Sequence, residues 1–98
     1  MDVHIATLVV QSAVTKIDAL AIIALATDSF VAGAGTVSPS VPLGRNVRVE
    51  VEIPKFGEPP PLAIDVVSEI GLGEAQAAAR DLRSLLERVT PWRIVEDF

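Results

Sequence analysis

Few residues of this 98-residue chain could do chemistry. The stretch "AGAGT", 32–36, places glycines where backbone N–H groups can approach an anion, so Gly33, Gly35 and Thr36 are the candidate cradle for a phosphate. An ordinary turn after an apolar segment explains the same residues, and no helix start is legible behind them to add its dipole. His4 is the only imidazole. A metal needs three or four ligands, and with no Cys and no carboxylate cluster beside His4, neither a metal nor a cofactor is expected. Asp65 and Glu69 would share one face of a helix, yet no nucleophile or base accompanies them, and a solvated surface accounts for both. Trp92, behind Pro91, reads as a core plug rather than a stacking platform. No catalytic residue is nominated, and the chain is not expected to be an enzyme.

Half the residues are apolar and 21% are charged, more core material than an ordinary soluble domain carries. A chain this short buries only roughly 60 to 65% of the surface its unfolded form exposes. One domain spanning 1–98 is expected, hiding part of its surface against a partner. The net charge is −5 and the eight Lys and Arg are scattered singly, which argues against nucleic acid as that partner. The absence of Cys suits a reducing cytoplasm. "ALAIIALA", 19–26, is too short to span a bilayer and lacks a basic segment before it, so a soluble, unprocessed cytoplasmic chain without membrane contact is expected.

The elements that must position these residues follow from apolar periodicity. "VHIATLVV", 3–10, reads as a strand. "ALAIIALA" is apolar on alternate and on successive positions, so its period fits strand or helix; the short two-faced run before a glycine loop predicts an interior strand burying Ile22 and Ile23, with a helix over 14–29 as the alternative. The loop 33–44 follows, holding Val37, Val41 and Leu43 as candidate interface residues. "VRVEVEI", 47–53, alternates strictly and predicts a strand with one wet face, broken by "FGEPPP", 56–61. Residues 62–70 fit strand or helix. "EAQAAARDLRSLLERV", 74–89, predicts a helix with a stripe of Ala78, Leu82, Leu85, Leu86 and Val89, an Arg83–Glu87 pair, and Pro91 as its stop. "WRIVEDF", 92–98, closes as a strand.

The order of strand, turn, apolar run and glycine loop in "VVQSAVTKIDALAIIALATDSFVAGAG" resembles the start of macro domains and of the related N-terminal domain of leucyl aminopeptidases. "VRVEVEIP", the run into "GLG" and "EAQAAARDL" resemble the aminopeptidase version, which favours a strand over 62–70. The resemblance implies an α/β fold: a mixed, largely parallel sheet of about five strands with one C-terminal helix. Where ADP-ribose-binding macro domains carry a Gly-Asp pair, this chain has Ser12 and Ala13, and Ala24 and Thr27 fill their asparagine positions. The acid that reads the adenine is missing, and so is the zinc-binding peptidase domain. "VVSEIGLGEAQ" also resembles the C-terminal domain of the ribosomal stalk protein, whose helices would need about two more turns here.

The function this implies is a non-catalytic interaction or oligomerisation module that associates with itself, or with a partner encoded nearby, through the sheet face its helix leaves bare. The alternatives are a macro-like module binding a nucleotide or phosphate, and a small homo-oligomeric α+β enzyme in a ferredoxin-like arrangement.

Overall fold

A computed structural model describes residues 3–52 and 62–98. The first strand, β1 (His4–Val10), leads into helix α1 (Lys16–Ala26). A long loop then reaches β2 (Val41–Pro42), β3 (Val47–Glu52) and β4 (Leu62–Ser68). Helix α2 (Leu72–Val89) and β5 (Ile94–Asp97) end the chain.

The five strands form one sheet in the order β2-β3-β4-β1-β5, and every neighbouring pair is antiparallel. This overturns the expected largely parallel, macro-like sheet. β1 and β3 run the same way with β4 between them; β4 and β5 run the same way with β1 between them. Each helical crossover therefore skips one strand position, and an antiparallel strand fills the gap. Without the short edge strand β2, this is the β-α-β-β-α-β order of split βαβ units, the ferredoxin-like arrangement.

Residues 19–26 are not an interior strand but the body of α1. Thr15, in extended backbone, caps the helix by accepting a hydrogen bond from the Asp18 N–H at 3.1 Å, a start signal that outweighs the flat apolar pattern after it. The far end closes with Asp28 in the left-handed region at φ 55°. There the Asp28 N–H donates to the Leu25 carbonyl at 3.3 Å and the Ser29 N–H to the Ala24 carbonyl at 2.8 Å, the paired bonds of a Schellman ending. As a helix, the run buries Ile23 fully but Ile22 only in part.

The other elements fall close to their predicted places. β3 alternates as read; its expected last residue, 53, and the "FGEPPP" break lie outside the described residues. Residues 62–68 are a strand. Ser68, fully buried, turns the chain into α2 by accepting hydrogen bonds from the N–H groups of Ile70 (3.1 Å) and Gly71 (3.4 Å). α2 starts at Leu72 and buries Ala75, Ala79, Leu82 and Leu86, so the buried stripe keeps Leu82 and Leu86 of the predicted one but is turned from it by about 50° around the helix. Val89, expected on it, is 58% exposed.

Both helices lie on one face of the sheet. Register pairs Leu8 with Ile64, Ile64 with Val51 and Val10 with Ile94, so these side chains share a face. They form one core with Leu20 and Ile23 of α1 and Leu82 and Leu86 of α2. Among the described residues no helix packs on the opposite face. Among the described residues no helix is long and apolar enough to cross a membrane.

Candidate functional site

The glycine loop is a self-contained turn. Gly33 and Gly35 sit at φ +70° and +84°, where only glycine is unstrained, so backbone geometry already requires both. The Thr36 N–H (3.0 Å) and hydroxyl (2.5 Å) both donate to the Gly33 carbonyl, and the Ser38 N–H donates to the Thr36 hydroxyl at 3.3 Å. Ala32 and Ser40 bridge across its base, and the chain continues into β2, not into a helix. Thr36 thus faces its own turn.

The three candidate interface residues separate. Val37 is 96% exposed near the loop tip, Val41 is fully buried opposite Val49, and Leu43 is half-buried. Leu43 lines an open cleft of about 540 Å³ between the end of α1 and the middle of α2, with Ala26, Asp28, Ala78, Asp81 and Leu85 also on its walls.

His4 stands at the start of β1 opposite Ser68, and among the described residues no three His, Asp or Glu converge. Asp65 and Glu69 are not a pair on a helix: Asp65 lies mid-strand in β4, accepting the Thr7 hydroxyl at 2.8 Å, while Glu69 follows the strand's end. Trp92 packs partly buried against the core.

Charged groups tie α2 to the edge strand β5. Arg83 reaches Glu96 at 2.9 Å and Glu87 at 3.3 Å, and these two hydrogen bonds, Glu96's first, raise the guanidinium above its ordinary pKa. Arg80 also approaches Glu96, at 3.6 Å, and lies 5.2 Å over the Phe98 ring.

Two surfaces remain, and the sequence reading identified only one. On the bare sheet face Val3, Ile5 and Val95 are nearly half exposed. Between the apolar positions runs a row in register across four strands, Glu50, Asp65, Thr7 and Asp97. Among the described residues Arg48 is the one basic strand residue on this face, and it is held by Glu50 at 2.7 Å. Directly opposed carboxylates are unfavourable in a sheet, so the row is a real electrostatic feature of this face.

The second surface is the outside of α1. Ile17, Ala21 and Leu25 recur every four residues and so stand in one line; Ile17 is 79% and Leu25 83% exposed. From Ala19 to Ala26 the helix has no polar side chain. Beside this line, Ile22, Leu25 and Ala26 face Val89 of α2 across an apolar cleft of about 320 Å³. The signal for this surface was the threonine cap followed by i, i+4, i+8 apolar residues, with no polar side chain from Ala19 to Ala26.

Comparison with models of known protein families, with curated proteins and with solved structures finds no match to this chain.

Proposed function

We propose that the chain is a non-catalytic protein-interaction module whose partner is a second copy of itself, working in the cytoplasm without nucleic acid or membrane. The observation that carries this reading is the outer line of α1, where Ile17 and Leu25 are almost fully in water although the helix has every apolar residue it needs on its inner side. A helix that is apolar all round belongs in an interior, and on a molecule this small a second protein surface is what makes one. The acidic balance and the scattered cations support a protein partner over a polyanion. Light scattering at about 50 µM should give a mass above the 10.4 kDa of one chain; a single-chain mass there refutes the reading.

A further inference from the structure

Resting on that reading, we infer that the second copy docks on α1, antiparallel across a two-fold axis at Ala21, and not on the bare sheet face. A two-fold contact is self-complementary: whatever residue i touches, residue j, the partner's j touches i. The line Ile17, Ala21, Leu25 has that symmetry, with large residues equidistant from a small one. With the axis at Ala21, each Ile17 meets the partner's Leu25, and alanine lets the helices approach closely.

Charge fixes the register. Asp18 lies four residues before Ile22, so it stands on the flank that faces α2. Val89 forms the far wall of the cleft that Ile22 and Leu25 line, and Arg88 precedes it on α2, exposed and about 100° further round the helix. Counting symmetrically about Ala21, Asp18 of one copy comes level with residue 24 of the other, beside that cleft and Arg88. Both side chains are exposed, and neither has an ion-pair partner among the described residues. The contact therefore brings two Asp18–Arg88 pairs together at its ends and seats each Ile17 at the cleft lined by Ile22, Leu25, Ala26 and Val89. At the exposures of Ile17, Leu25 and Val89, each copy offers on the order of 400 Å² of apolar surface, the size of the largest patch on a typical monomer, which is often a functional one.

The sheet face has no such complementarity. A copy laid on it about a central two-fold sets the Glu50, Asp65, Asp97 row against its own image, with Arg48 already held by Glu50.

Sedimentation equilibrium on the full chain tests this. The wild type should sediment at twice 10.4 kDa near 50 µM. Leu25→Glu should raise the dissociation constant at least about 100-fold, since the substitution enters the contact twice. Ile5→Glu, on the sheet face, should leave it unchanged. Asp18→Arg and Arg88→Asp should each weaken the dimer about tenfold, and the double variant should recover most of that loss. Ile17→Glu repeats the first arm should Leu25→Glu lower the helical circular dichroism. A dimer that survives both α1 variants but falls apart with Ile5→Glu overturns this docking and keeps the proposed function. No recovery in the double variant overturns the register. A wild-type monomer, or one that cosediments with phosphatidylcholine vesicles, overturns both.

Discussion

Truncating Ile23 and Leu25 separately to alanine distinguishes the helix from the strand that the same residues imitate. On a strand, residues two apart share a face, so the two truncations would cost alike. On a helix they point about 200° apart. Ile23 is fully buried against the sheet, whereas Leu25 is 83% exposed. Removing the buried isoleucine deletes three carbons from a packed site, which costs about 3 kcal/mol including the cavity left behind. For a domain of this size each kcal/mol moves the melting temperature by roughly 4 to 8 °C, so Ile23→Ala should melt about 15 °C lower. Leu25→Ala should change the stability of the monomer by less than about 0.5 kcal/mol. Urea unfolding followed by circular dichroism measures both, run at low micromolar concentration and repeated tenfold higher, because a dimer through Leu25 would make its cost concentration-dependent. Ile22, half-buried beside the cleft, should fall between the two. Similar losses at Ile23 and Leu25 in the dilute sample would refute the helix and the reasoning built on it.

Thr15→Ala removes the cap of α1 and should cost about 1 kcal/mol in urea, while Thr15→Asn should cost nearly nothing; equal losses would mean that the hydroxyl does not cap. Asp28→Gly relieves a left-handed residue at the end of α1 and should stabilise the fold by about 0.5 kcal/mol, and a loss there would count against the Schellman ending. Ser68→Ala leaves the N–H groups of Ile70 and Gly71 without their acceptor and should cost about 1 to 2 kcal/mol. Arg83 has its pKa raised by Glu96 and Glu87, so what it contributes is fully present below the ordinary arginine pKa and is lost only as pH rises past the raised one. The difference in melting temperature between wild type and Arg83→Met should accordingly stay flat from about pH 6 to 9. A slope across that window would mean that Arg83 is not the cause.

Elements with a clean period were legible. Val47, Val49 and Val51 alternate with Arg48, Glu50 and Glu52, and a strand with one covered face can read no other way. α2 carries charges on one side and alanine and leucine on the other, and its Arg83–Glu87 pair forms as its spacing requires. Strand direction was not legible, because periodicity says which residues share a face and nothing about which strand lies alongside. Only when α1 is known to be a helix do two crossovers of the split kind become the natural count. The glycines at 33 and 35 signalled a turn correctly, but a left-handed turn and an anion cradle ask for the same residues.

The residues that hid α1 are also the ones that give the molecule its exposed surface. Periodicity betrays a surface helix because water demands polar residues on its outer side. In 19–26 that demand is not met: Ala21 and Leu25 stand where charges would, and the pattern loses its phase. An alternating or two-faced apolar run is then the simplest description, and it is wrong. Had Leu25 been glutamate, the segment would have read at once as an amphipathic helix, and the chain would have kept its fold with no reason to meet a second copy. One substitution thus serves both questions. Leu25→Glu should leave the circular dichroism spectrum and the monomer's urea midpoint essentially where they were, while abolishing the dimer at 50 µM. If Leu25→Glu and Ile17→Glu both unfold the chain, the two residues belong to the core, α1 is not placed as described, and the exposed line on which the proposed function rests does not exist.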